Sequence, residues 1–209
     1  MTAKEAKKEL DKELKQLLKP HGFYYDRKGY QFIKTTPNGH WGVAPSLTNF
    51  SPLFKLAFTF LVRVKEVEEV YQQYSRILPD YQHYSSTIMI SYDYFKEERY
   101  FEYQLNNSQQ VSIAIKDFKY VFESEVLLFL EKHSDLKCLF DLVMTEEVLE
   151  IDTTASPDKY IHWLIIAKLS GHGDIKGLAQ KYLKDFWANN RVKQDRERIE
   201  KLLQDLQTM

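Results

Sequence analysis

Six histidines, one cysteine and three adjacent glutamate pairs are the residues whose types could hold a metal, supply a nucleophile or divide acid and base work. Histidine metal sites depend on spacings such as H-x-x-x-H, which put two imidazoles on one helix face. His21, His40, His83, His133, His162 and His172 show no such pairing, and His162 and His172 read as helix-end groups with capping or surface roles. Cys138 stands beside Leu139 and Phe140 on an expected helix, the setting of an inert, buried or semi-exposed thiol. No G-x-S-x-G elbow is present. Gly171-His172-Gly173-Asp174 lacks both the dinucleotide and the Walker pattern and reads as a helix C-cap followed by Asp174 as the next N-cap. Glu68-Glu69, Glu97-Glu98 and Glu146-Glu147 are neighbours whose side chains point in different directions, so they are expected to be solvated surface groups. No cofactor and no metal is expected, and the balance is against an enzyme.

Aromatic residues carry more signal. Eleven of the fourteen tyrosines lie between Tyr24 and Tyr103, and the segment Tyr92–Phe101 gathers tyrosine, phenylalanine and arginine around an expected hairpin tip. Tyr and Arg are enriched at interface hot spots because they bury a large area and keep a polar handle. Tyr92, Tyr94 and Arg99, together with Arg63 on the polar face of a strand, are therefore the candidate partner-binding residues. The expected function is a non-catalytic protein-binding module with an unidentified protein partner. One alternative is a small-molecule binder or enzyme whose pocket lies between sheet and helices and uses Arg63, Tyr92 or His40. Another is an RNA or single-stranded DNA binder using Arg27, Lys28, Lys34, Arg63 and Lys65 beside aromatic rings. Interspersed acids and a net charge of -1 weigh against nucleic acid.

The elements that position these residues follow from periodicity. Thr2 and Glu5 have capping-box spacing, and Ala6, Leu10, Leu14, Leu17 and Leu18 share one helical face that ends at Pro20 and Gly22. Phe23–Tyr25 and Tyr30–Thr36 read as strands joined by Asp26-Arg27-Lys28-Gly29, with Gly29 available for a positive φ. Pro37-Asn38-Gly39 is a second turn. Phe54, Leu56, Phe58, Phe60, Val62 and Val64 alternate with Lys55, Thr59 and Arg63, which predicts a strand with one dry and one wet face. Glu66–Ile77 has helical period. Thr87–Tyr94, Arg99–Leu105 and Val111–Ile115 are expected to complete a meander, and the chain is helical beyond Asp117. Ser156 and Pro157 read as the cap and first residue of a helix.

These elements predict an α+β chain: residues 1–151 form an antiparallel sheet domain with an N-terminal helix, and residues 152–209 a helical hairpin or three-helix subdomain. Hydrophobic residues at 44% and charged residues at 28% fit an ordinary globular protein. A lone cysteine excludes an internal disulfide and favours a reducing, cytoplasmic setting. The N-terminal lysines alternate with acids and no apolar run follows, so neither a signal peptide nor a membrane span is expected. Oligomeric state is left open.

The pattern Leu14-x-x-Leu17-Leu18-Lys19-x-His21-Gly22-Phe23, followed by Arg27-Lys28-Gly29 and the aromatic run Tyr30-Gln31-Phe32, resembles the opening of a bacterial family, domain of unknown function 4304. The resemblance covers the first third of the chain. It implies a first helix ending at Gly-Phe, a basic-Gly turn and an α+β domain, and it implies no catalytic residues. Small α+β proteins of similar appearance serve as immunity partners of bacterial toxins, an analogy of fold only.

Overall fold

The computed structural model describes residues 1–50, 53–96, 98–145, 151–152, 158–189 and 193–209. The chain is α+β, and its contacts divide it into two compact units. Unit 1 is Met1–Val62 with Met89–Lys132; unit 2 is Arg63–Ile88 with His133–Met209. Residues 63–88 and 133–151, which the 1–151/152–209 expectation put with the sheet, are grouped by contacts with the C-terminal helices. Residues 153–157, with the proposed cap at Ser156 and Pro157, lie outside the described residues, as do Glu97 and the Glu146-Glu147 pair.

Unit 1 opens with α1 (Ala3–Leu18), whose capping box forms as read: Glu5 N donates to Thr2 Oγ1 at 3.3 Å and Thr2 N to Glu5 Oε2 at 2.7 Å. Ala6, Leu10, Leu14 and Leu18 are its buried face. Gly22 (φ +84) ends the following turn, a left-handed position that favours glycine. Strands β1 (Tyr24–Asp26), β2 (Gln31–Thr36), β3 (Gly39–Phe50) and β4 (Leu53–Val64) then pair in sequence order. The β1–β2 turn is held by Asp26, whose carboxylate accepts from the amides of Lys28 (3.2 Å) and Gly29 (3.1 Å). The positive φ expected at Gly29 falls instead on Tyr30, at +52°.

In β4 the predicted dry face is dry: Phe54, Leu56, Phe58, Phe60, Val62 and Val64 are all buried. The opposite face is wet only in part. Lys55 pairs with Glu102 at 2.7 Å and Thr59 is half-buried, whereas Leu61 is buried against Gly42 of β3 and Arg63 turns inward. Two expectations beyond β4 change. β5 (Ile88–Ser91) and β6 (Tyr103–Leu105) do not form a hairpin; each lies against β4, with Leu56 opposite Tyr103, and Tyr92–Phe95 coils into a 3-10 turn between them. Val111–Ile115 is not a strand but part of α3 (Ser108–Val121), started by Asn107, whose side chain accepts from Gln110 N at 3.0 Å. Val111, Ala114, Phe118 and Val121 form its buried face, and Ile113 points outward. A π turn (Phe122–Val126) leads into α4 (Leu127–Lys132). Phe118 stacks on Phe58 at 4.1 Å between ring centres, which joins helix and sheet in one aromatic core.

Unit 2 comprises α2 (Lys65–Tyr71), a 3-10 turn (Pro79–Tyr84), α5 (Leu136–Met144), the two-residue strand β7 (Ile151–Asp152), α6 (Asp158–Leu169), α7 (Ile175–Asn189) and α8 (Lys193–Thr208). Helix α6 is buried continuously from Ile161 to Ala167, because α2, α5, α7 and α8 all pack against it. Its C-terminus behaves as read: Gly171 has φ +83, its amide reaches Lys168 O at 3.0 Å, His172 N reaches Ala167 O at 2.9 Å, and Asp174 accepts from Gly177 N at 2.8 Å.

Candidate functional site

The candidate partner-binding residues do not share one fate. Tyr92 is buried, its ring packed on Phe58 and Phe118 in the unit 1 core. Tyr94 is half-buried with its ring on Phe95 and Phe129. Arg99 is exposed. Arg63, expected on a solvated face, keeps only 12% of its side chain exposed. Its Nη1 donates to Gln82 O (3.0 Å), Ser85 O (2.5 Å), Ser85 Oγ (2.6 Å) and Glu68 Oε2 (3.3 Å).

What organises the aromatic turn is a residue outside the candidate set. Asp117 of α3 takes Lys96 Nζ on both oxygens, at 3.0 and 2.9 Å, and the Tyr103 hydroxyl on Oδ2 at 2.5 Å. The Tyr92 hydroxyl lies 3.2 Å from the same oxygen and 2.8 Å from the Tyr103 hydroxyl. Burial alone would push the Asp117 carboxyl up; hydrogen bonds from Tyr103 and Lys96 outweigh it and hold the group below its ordinary range. Burial raises both phenols, so Tyr92 and Tyr103 remain neutral donors rather than bases or nucleophiles.

At the far end of this anchored turn stands Tyr100. It is 86% exposed, has φ +59, and its amide donates to Asp93 Oδ2 at 3.1 Å. On either side the chain is fixed, by Phe101 against Tyr92 and Tyr103 and by Lys96 on Asp117. The clustering of tyrosines marked this region, but the residue it displays is Tyr100.

A second polar centre lies wholly within unit 2 and was not legible as a site. Glu68, expected to be solvated, is fully buried, and so is His162, expected at a helix end. His162 Nε2 meets Glu68 Oε1 at 2.9 Å and its Nδ1 meets Asp158 O at 3.1 Å. Glu68 also accepts from Thr87 Oγ1 at 2.9 Å and Ser85 Oγ at 2.5 Å, so both of its oxygens are occupied. Tyr71 lies over the His162 ring at 3.9 Å and donates to Asp158, which pairs with Arg198 at 2.5 Å; Arg198 in turn pairs with Asp195. A Glu–His pair can serve as a general base, but here neither member has an exposed surface.

Of the basic residues considered for nucleic acid, Arg63 is turned inward, Lys34 lies over Trp41 at 4.6 Å and Lys65 makes an exposed pair with Glu69 at 3.7 Å, while Arg27 and Lys28 are exposed. His40 is half-buried in β3 opposite Thr35. Among the described residues no group of three or more His, Cys, Asp and Glu side chains is placed to hold a metal, and no helix is long and apolar enough to cross a membrane.

The chain matches no family model, no curated protein and no solved structure.

Proposed function

We propose that this chain is a non-catalytic protein-binding module whose contact surface is centred on the Tyr92–Phe101 turn, with Tyr100 at its tip and Arg99 beside it. The observation that carries this reading is the backbone of Tyr100. A non-glycine residue in the left-handed region costs about 1–2 kcal/mol and persists only where its surroundings impose it. Here Asp93 and the flanking anchors impose it on a side chain that contributes nothing to the core. A rigidly presented aromatic ring loses little entropy when a partner covers it, as interface hot spots require.

Support against a catalytic reading comes from the two polar centres, whose charged groups use their hydrogen-bonding capacity on one another. An immunity-type role and a cytoplasmic setting belong to the same reading, the latter supported by the single cysteine. So does membership of domain of unknown function 4304, supported by the order of helix, Gly22-Phe23, basic turn and aromatic strand.

A photo-crosslinking amino acid placed at position 100 tests the proposal. It should capture one defined protein in cells, and the same probe at Tyr120, also exposed, should not. Arg99→Ala should reduce the yield at position 100. Equal capture at both positions, or none at 100, rejects the turn as the contact surface.

A further inference from the structure

We infer that the groove between α7 and α8 is a binding site for a small amphipathic carboxylate. The groove encloses about 350 Å3, at the small end of ligand pockets, which run from about 300 Å3. Its floor is apolar, made by Ile175 and Ala179 of α7 and Leu203 of α8. Ile175 and Ala179 are themselves buried, so the floor is part of the packed unit rather than a loose surface.

The rim is cationic and rich in donors. Lys176, Gln180 and Lys184 recur every four residues along one side, and Gln207 stands on the α8 side. The described polar side chains that line the groove, Lys176, Gln180, Lys184 and Gln207, all carry N–H donors. Lys176 and Lys184 stand roughly 12 Å apart along the helix at 1.5 Å per residue. An apolar trough with ammonium groups on its lip complements a ligand with a hydrocarbon body and an anionic head. A straight-chain acid of about eight carbons matches the volume and can reach a lysine. Because α8 returns along α7 after a short connection, Gln207 lies toward the Lys176 end, where an ammonium and a carboxamide can share one carboxylate.

Titration of the full chain with octanoate, followed by calorimetry, tests this. One saturable site is expected, with octanol and acetate each at least about tenfold weaker because one lacks the head and the other the chain. Lys176→Glu should weaken octanoate by about fivefold or more. Ala179→Trp, which fills the floor, should abolish binding. Lys176 is exposed, so its variant keeps the test decisive if Ala179→Trp fails to fold. Absence of saturable octanoate binding, equal binding of octanol, or unchanged affinity in Lys176→Glu overturns the inference. The Tyr100 surface does not depend on the outcome.

Discussion

Glu68 and His162 stand 94 residues apart in the chain and meet in the interior of unit 2, Oε1 to Nε2 at 2.9 Å, with both side chains fully buried. Burial alone would push the Glu68 carboxyl up. Hydrogen bonds from His162 and Ser85, with the charges of His162 and Arg63, more than offset that and leave it below its ordinary value of 4.5. A carboxylate whose folded pKa is depressed contributes stability that is present above the unfolded pKa and lost as pH falls through the folded one.

Removing one partner of a buried pair leaves the other charge uncompensated, at a cost of about 3–5 kcal/mol. Glu68→Gln should therefore destabilise unit 2 by about this amount in urea titrations at neutral pH. The wild-type chain should lose stability as pH falls below about 4.5, and Glu68→Gln should remove much of that slope. An unchanged acid slope in the variant would show that the pair does not brace the unit.

Tyr74 gives the opposite alkaline test. Burial, then the hydrogen bond to Asp205 Oδ2 at 2.5 Å, push its phenol up from 10.0 to about 12. A raised folded pKa contributes stability that is complete below the unfolded value and lost as pH rises through the folded one. Stability should fall between about pH 10 and 12. Tyr74→Phe should flatten this part of the curve, while losing about 1 kcal/mol at neutral pH for the missing hydrogen bond. Thermal melts across that pH window check both statements.

The turn proposed as a contact surface has two separable supports. Asp93→Ala removes the acceptor of the Tyr100 amide and should free the tip, raising hydrogen exchange at Tyr100 with a global change below about 1 kcal/mol. Asp117→Ala leaves Lys96, Tyr92 and Tyr103 without their common acceptor and should cost about 1–3 kcal/mol. Both should weaken crosslinking at position 100. If Asp93→Ala leaves amide exchange at Tyr100 unchanged, the strained conformation is held by something else.

Local pattern and capping chemistry make α1, β4 and the Gly171–Asp174 cap legible in the sequence, because in each the deciding contacts lie within a few residues. Val111–Ile115 shows where local pattern divides. Its five residues alternate as a strand would, but the run Val111, Ala114, Phe118, Val121 and Phe122 keeps helical period over a longer span, and Asn107 with Gln110 supplies the start. Hairpin geometry for β5 and β6 failed because pairing depends on β4, which offers each of them an edge. Glu68 was beyond reach for a different reason. An acid beside another acid is ordinarily solvated, and nothing near it in sequence announces His162, Thr87 or Ser85. Only the local spacing of Val67, Glu68 and Tyr71 on one helix hinted that position 68 turns inward.

A close contact between β3 and β4 covers one side of the sheet at Leu61. Gly42 of β3 has Leu61 lying across it, and a Cβ built there would stand 2.8 Å from Leu61 Cδ1, 3.1 Å from its Cβ and 3.2 Å from its Cγ. The terminal methyl can rotate away, but the Leu61 Cβ is fixed by its strand, so Gly42→Ala overpacks the sheet and should cost about 1–3 kcal/mol. Leu61→Ala alone opens a cavity and should also destabilise, by about 2–5 kcal/mol if the site cannot collapse. Together the two changes remove the clash and refill part of the gap, so the double variant should be more stable than the sum of the single losses implies, by about 1 kcal/mol or more. A double-mutant cycle in urea measures this directly. Strict additivity would mean that Gly42 is not held by Leu61 and that this face of the sheet accommodates a methyl group freely.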